Sequence, residues 1–242
     1  MTQLLISVKN VEEAMLALNL GVDIIDLKDP NIGALGALDL QETKRILQAI
    51  NGRGLVSATV GEQHGSLVEL VQDIETRALL GVDVIKIAIS SLFYTKNFDR
   101  IMQNLASSGI KIVAVFFADE AVDFNLLDII RQMGFWGAMF DTKTKQENLL
   151  QVQTKQELQN FTQICHQYHL KSGLAGSLQS QHIDFLMEYN PTYIGFRGGV
   201  CNNLARKSDL SSVKVMEVKE LLRSHNKINE KARKSKWLAL HS

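Results

Sequence analysis

One pattern recurs along these 242 residues and constrains the fold more than any other feature. A short β-branched run is followed by an amphipathic stretch, then a glycine or asparagine, then another short run. The runs are Leu4–Val8, Asp23–Lys28, Leu55–Val60, Asp83–Ala88, Lys111–Phe117, Trp136–Asp141, Leu170–Gly176 and Thr192–Arg197. Each is short and mostly apolar, as strands covered on both faces are. Between them, Val11–Leu20 sets Val11, Ala14, Met15 and Leu18 at helical spacing, and Leu67–Leu80, Phe98–Leu105 and Leu126–Met133 read the same way. The tetrapeptide LGVD occurs at Leu20–Asp23 and again at Leu80–Asp83. Gly21, Gly81, Gly109 and Gly134 stand where a helix must end before a strand begins, a place that favours the left-handed conformation. Pro30 and Pro191 fall in loops and break nothing. Repeated βα units imply a parallel sheet, and eight of them imply closure into a single (β/α)8 TIM barrel, with a doubly wound open sheet as the alternative. Residues 1–224 are expected to form this one domain, and 225–242 a solvated basic C-terminal extension.

Composition removes several classes of function. Lys plus Arg equals Asp plus Glu at 26 each, so the basic excess of a nucleic-acid binder is missing, and the basic stretch Lys227–Lys236 reads as a solvated tail. No run approaches the roughly 18 apolar residues of a membrane span. The apolar stretch in Met1–Asn10 breaks at Lys9 and reads as a strand, not a signal segment. Cys165 and Cys201 form no C-x-x-C pair, which points to a reducing, cytoplasmic setting.

Strand alternation predicts which charges enter the barrel. If Ile25 and Leu27 face the helices, Asp26 and Lys28 point inward; if Ile85, Ile87 and Ile89 face out, Lys86 points inward. By the same logic Met139 and Asp141 are inside on the sixth run, Gly195 and Arg197 on the eighth, and Ser57 and Thr59 on the third. Charges are seldom buried unpaired. Asp26, Lys28, Lys86, Asp141 and Arg197 therefore form either a structural ion-pair plug or an active site, and the C-terminal ends of barrel strands are where this fold keeps its active sites. Crowded, partly buried lysines lose protons more readily, and a neutral lysine can attack a carbonyl to form an imine. This favours aldolase-like chemistry on a small carbonyl compound. Gly176 and Ser177 after the seventh run, with Gly198 and Gly199 after the eighth, stand where this fold commonly binds phosphate. A small phosphorylated substrate is the expected partner.

Other candidates carry less. His166 and His169 stand three apart on an expected helix but lack a third ligand, so no metal is expected. Cys201 reads as a packing residue, and Asp119 as either catalytic or a cap for the next helix. No Gly-rich nucleotide loop is present.

The segments DIIDLKDPNIGALGA (Asp23–Ala37), LVSATVGE (Leu55–Glu62), DVIKIAI (Asp83–Ile89), FADE (Phe117–Glu120), MFDTKTK (Met139–Lys145), LAGSL (Leu174–Leu178) and IGFRGGVC (Ile194–Cys201) resemble the (5-formylfuran-3-yl)methyl phosphate synthases of methanofuran biosynthesis. The resemblance runs over residues 4–222. It implies a barrel lyase that condenses two molecules of glyceraldehyde 3-phosphate, without metal or organic cofactor. It makes Lys28 the Schiff-base lysine and Lys86 the proton acceptor, with Asp26 and Asp141 assisting proton transfer. Lys145 becomes a further active-site lysine on the loop after the sixth run, preferred over Lys143 for its spacing to Asp141. The chain departs from the family in that loop, Thr142–Leu150. Rival readings are another imine-forming aldolase acting on a phosphorylated sugar, and a non-catalytic barrel that serves as a binding subunit. Self-association is left open.

Overall fold

Every expected run forms a strand: β1 (Gln3–Val8), β2 (Ile24–Leu27), β3 (Leu55–Thr59), β4 (Val84–Ala88), β5 (Lys111–Phe117), β6 (Gly137–Asp141), β7 (Lys171–Leu174) and β8 (Tyr193–Phe196). All neighbours are parallel, and β8 pairs back onto β1, so the sheet closes into an eight-stranded barrel. This computed structural model describes residues 1–240, with side chains described for all of these but 232, 233 and 235–240. The helices are α1 (Val11–Asn19), α2 (Leu40–Ile50), α3 (Leu67–Leu80), α4 (Phe98–Ser107), α5 (Leu126–Gln132), α6 (Leu149–Val152), α7 (Lys155–Gln167), α8 (Ile183–Met187) and α9 (Ser212–Leu240).

The LGVD repeat has one structural meaning in both places. Its glycine takes a positive φ at the end of a helix, 65° at Gly21 and 103° at Gly81. Its aspartate then receives a backbone amide of the preceding odd-numbered strand: Leu4 donates to Asp23 and Val56 to Asp83, each at 2.8 Å. The carboxylates satisfy amides at the start of strands that would otherwise lack partners.

Alternation along the strands divides the interior into two cores. Outward residues such as Ile6, Ile25, Leu27, Ile85, Ile87, Phe140 and Ile194 pack under the helices. Truncating a buried isoleucine or leucine of this shell to alanine costs about 2–5 kcal/mol. Inward residues fill the lumen, whose apolar floor is Leu5, Ile24, Val84, Val113 and Tyr193. The Tyr193 ring can occupy the lumen because β7 offers Gly173 there; a Cβ on that glycine would lie 2.4 Å from the ring. Two residues further along β1, β2 and β4, at Ser7, Asp26 and Lys86, the lumen turns polar.

The helix α9 crosses residues 224 and 225 without a break. Beyond that point, Asn226 still accepts the Thr2 amide and donates to the Thr2 carbonyl, both at 2.8 Å, and so latches the entry to β1. Among the described residues no helix is long and apolar enough to cross a membrane. His166 lies on α7, but His169 lies past its end with φ 58°, so the two do not share a helical face.

Candidate active site

Four of the five charged residues expected inside the barrel meet at the C-terminal ends of β2, β4 and β6. Asp26 is completely buried and its oxygens are fully engaged. The Ser7 hydroxyl donates to one oxygen at 2.8 Å, the Ser57 hydroxyl to the other at 2.7 Å, and the Lys86 ammonium lies 2.6 Å away. Ser7 comes from β1, which sequence reading had not brought into the site. Alternation on β1 could have found it, since Ser7 follows the inward-facing Leu5 by two positions.

Lys28 does not pair with its strand neighbour Asp26. It reaches across the mouth to Asp141, 3.0 Å away. The other Asp141 oxygen accepts from Lys145, and also from the Thr142 amide at 2.8 Å. Each carboxylate is thus satisfied, as buried charge requires, but three lysines share two aspartates.

Proton affinities follow from that arithmetic of charge. Burial pulls the Lys86 ammonium below its usual range against the opposing pull of Asp26, with Lys28 adding a repulsive push. Burial likewise lowers Lys145, to about 8, despite its contact with Asp141. Burial acts the other way on Asp141, but Lys145 and Lys28 outweigh it and hold this carboxyl below the ordinary carboxylate range. The group therefore combines an ionised Asp141 with two lysines, Lys86 and Lys145, that give up protons easily.

Lys145 is delivered by a loop with an unusual backbone. Its φ is 60°, in the left-handed region that costs a non-glycine residue about 1–2 kcal/mol. Asp119, at the end of β5, holds the preceding turn: its carboxylate accepts the amides of Lys143 (2.7 Å) and Thr144 (2.9 Å) and the Thr144 hydroxyl (3.0 Å). Asp119 is thus a cap, for this loop rather than for the next helix. Lys143 turns outward to Glu120 at 2.6 Å, so Lys145 alone of the two loop lysines enters the mouth.

Opposite the lysines, Gly176, Ser177, Gly198 and Gly199 line the same cavity, of about 380 Å³. The glycines differ in kind. A Cβ on Gly199 would lie 2.1 Å from the Leu178 carbonyl, so close approach of the β7 and β8 loops demands glycine there. A Cβ on Gly198 would meet nothing nearer than 3.5 Å, so packing within the chain makes no such demand. The amides of Gly176, Ser177 and Leu178 donate to no protein acceptor among the described residues.

Arg197 lines this cavity but its guanidinium is turned away. It forms an ion pair with Glu13 of α1 and donates to the carbonyls of Ser7 (3.1 Å), Arg206 (2.7 Å) and Ser208 (2.8 Å). The arginine that reaches the mouth is Arg206, which sequence reading missed because it lies nine residues past Arg197, where alternation has ended. Cys201 is buried and donates from Sγ to the Arg197 carbonyl at 3.1 Å, as a packing residue does.

An eight-stranded parallel barrel with charged side chains gathered at the C-terminal ends of its strands is the architecture of a TIM-barrel enzyme. The resemblance of the whole trace to phosphoribosyl anthranilate isomerase from Thermus thermophilus agrees: the TM-score is 0.66 at 13% identity, over 92% of this chain and 99% of that one. The chain belongs to the 4-HFC-P synthase family, whose profile matches residues 4–219. It is 34% identical over 232 residues to the (5-formylfuran-3-yl)methyl phosphate synthase of Methanocaldococcus jannaschii, across 90% of this chain and 98% of that protein. A relative in Methylorubrum extorquens is 35% identical over 223 residues, 92% of each chain.

Proposed function

We propose that this protein is a (5-formylfuran-3-yl)methyl phosphate synthase, a lyase that joins two molecules of glyceraldehyde 3-phosphate through an imine on Lys28. Family membership supports the overall reaction. The observation that carries the mechanism is the sharing of Asp141 by Lys28 and Lys145 inside one cavity. Asp141 orients the Lys28 amine, and Lys145, at about 8, exchanges protons beside it near neutral pH.

In this reading the Lys28 nitrogen adds to the carbonyl carbon of one triose phosphate and water leaves, giving a protonated imine. The imine draws electrons from the neighbouring C–H bond. Lys86, kept short of protons by burial, receives that proton and an enamine forms. The enamine then expels its phosphate, and the carbon that carried it attacks the ketone carbon of the second triose phosphate, isomerised from the aldehyde by the same kind of proton transfer. The free terminal hydroxyl of that second triose closes onto the carbonyl beside the imine, and two waters leave. Hydrolysis from Lys28 frees the aromatic furan aldehyde, with a net loss of one phosphate and two waters. Asp26, fixed by Ser7 and Ser57, holds Lys86 in place for its proton transfers. The amides of the β7 loop and the small Gly198 suit a substrate phosphate.

The direct test is incubation with glyceraldehyde 3-phosphate while recording ultraviolet absorbance. A conjugated furan aldehyde is the expected product. Reversible cleavage of a sugar phosphate with no new chromophore would instead assign an aldolase of phosphorylated sugars.

A further inference from the structure

The segment between β8 and α9 forms a small flap over the barrel mouth. Its base is closed by the antiparallel bridge of Cys201 with Leu210. Its tip contains two successive residues with positive φ, Asn203 at 54° and Leu204 at 56°. Neither is glycine, and such strain persists only where the surroundings enforce it. The enforcing group is the buried Arg197–Glu13 pair, which grips the carbonyls of Arg206 and Ser208 from below. The outcome of this construction is the placement of one side chain. Arg206 crosses the mouth, and its Nη2 donates to the Gly33 carbonyl at 2.8 Å, on the loop that follows Lys28. Its Nε and Nη1 donate to no protein acceptor among the described residues, yet the side chain lines the cavity.

The charge in the cavity calls for anions. Lys28, Lys86, Lys145 and Arg206 face Asp26 and Asp141, while the charge of Arg197 is cancelled by Glu13. Burial lowers the proton affinity of Arg206, with Asp141, Glu62 and Asp29 pulling the other way, and a guanidinium keeps its charge throughout. The Arg206 backbone borders Gly198, but its guanidinium is carried to the Gly33 carbonyl on the loop after β2, where it can meet an anion other than one held on the β7-loop amides.

We propose that Arg206 is a second anion subsite, which holds the phosphate of the incoming triose phosphate while the first is tethered to Lys28. The Arg197–Glu13 pair is then a positioning device for it. This rests on the two-triose reading above. A guanidinium offers paired N–H groups that suit phosphate oxygens, and two of its nitrogens are available.

The test compares Arg206→Gln with Arg206→Lys in the full chain. Glutamine stays polar but loses the charge and is too short to reach Gly33; lysine keeps the charge and most of the reach. Borohydride trapping of glyceraldehyde 3-phosphate on Lys28, with enzyme in excess, reads the first triose, and furan absorbance reads the second. For Arg206→Gln we expect near-normal trapping, with the half-saturating concentration for furan formation raised about 10-fold or more, the range for losing a charged hydrogen bond. Arg206→Lys should recover a large part of that loss. Unchanged furan formation in the glutamine variant would reduce Arg206 to a loop tether and overturn the proposal. So would equal weakening of trapping and turnover, which would put Arg206 on the first phosphate. Absence of trapping and of furan in the unaltered protein would instead defeat the two-triose reading itself.

Discussion

Lys28 and Lys145 hold opposite oxygens of a single carboxylate, that of Asp141, although one comes from the end of β2 and the other from the loop after β6. One anion shared by two buried cations leaves charge uncompensated, and the site relieves it most readily by losing a proton. A carboxylate for each lysine would make a quieter, more stable plug. The proposed proton transfers draw on that shortage.

Reduction with borohydride in the presence of glyceraldehyde 3-phosphate should add mass to the peptide that contains Lys28. Lys28→Arg should fold and be inactive, because a guanidinium stays charged and forms no imine. Mapping of the adduct to Lys86 or Lys145 would reassign the nucleophile.

Lys86→Ala should separate trapping from turnover. With Lys28 intact the imine should still be captured, while furan formation falls on the order of 10²-fold or more, as for loss of a positioned acid–base group. Loss of trapping too, with circular dichroism unchanged, would make Lys86 necessary for the imine itself.

A basic limb is expected in the pH profile of turnover. Lys145 sits at about 8, so its free-amine fraction grows as pH rises toward and through that value. Activity that depends on this amine should rise over the same range, and Lys145→Met should abolish the limb. Stability carries the same sign. The unfolded lysine holds its proton up to about 10.4, so between about 8 and that value the unfolded chain binds more protons and stability increases with pH. Urea midpoints of the two proteins across this window provide the check.

Asp119→Ala should release the turn that presents Lys145. The expected result is a lower kcat and a displaced basic limb, with little change in melting temperature because the carboxylate is close to the surface. An unaltered pH profile would show that the Lys145 conformation holds without Asp119.

Gly198→Ala and Gly199→Ala should behave as opposites. The first leaves a Cβ at ordinary contact distance and should fold normally but bind inorganic phosphate more weakly; the second forces a clash with the Leu178 carbonyl and should lower the melting temperature. Unchanged phosphate affinity in the first variant would remove Gly198 from the anion site.

How much of the site was legible beforehand depends on the reach of the sequence periodicities. Alternation along β2, β4 and β6 placed Asp26, Lys28, Lys86 and Asp141 in the lumen, since each strand must put its branched residues under the helices. The spacing of four between Asp141 and Lys145 likewise picked the loop lysine that enters the mouth. Pairing was another matter. Asp26 and Lys28 share a strand face, yet each finds its partner across the barrel, because closure brings together side chains from non-adjacent strands. Arg197 escaped for a related reason. It lies just past the strand, and Glu13, some 184 positions earlier, decides where its guanidinium goes. No local pattern encodes such a contact, nor the resulting promotion of Arg206.

The union of β1 with β8 has a bearing on how the molecule is made. β1 leaves the ribosome with one edge satisfied early by β2, while its other partner, and the Ser7–Arg197 contact beside it, lie as much as 190 residues later. Until translation reaches them the nascent sheet is an open ribbon with a bare edge at each side, the form most exposed to mispairing with other chains. The last two strands are therefore the clasp of the fold, and damage near β8 should surface first as aggregation during synthesis, before any defect in the finished enzyme can be measured.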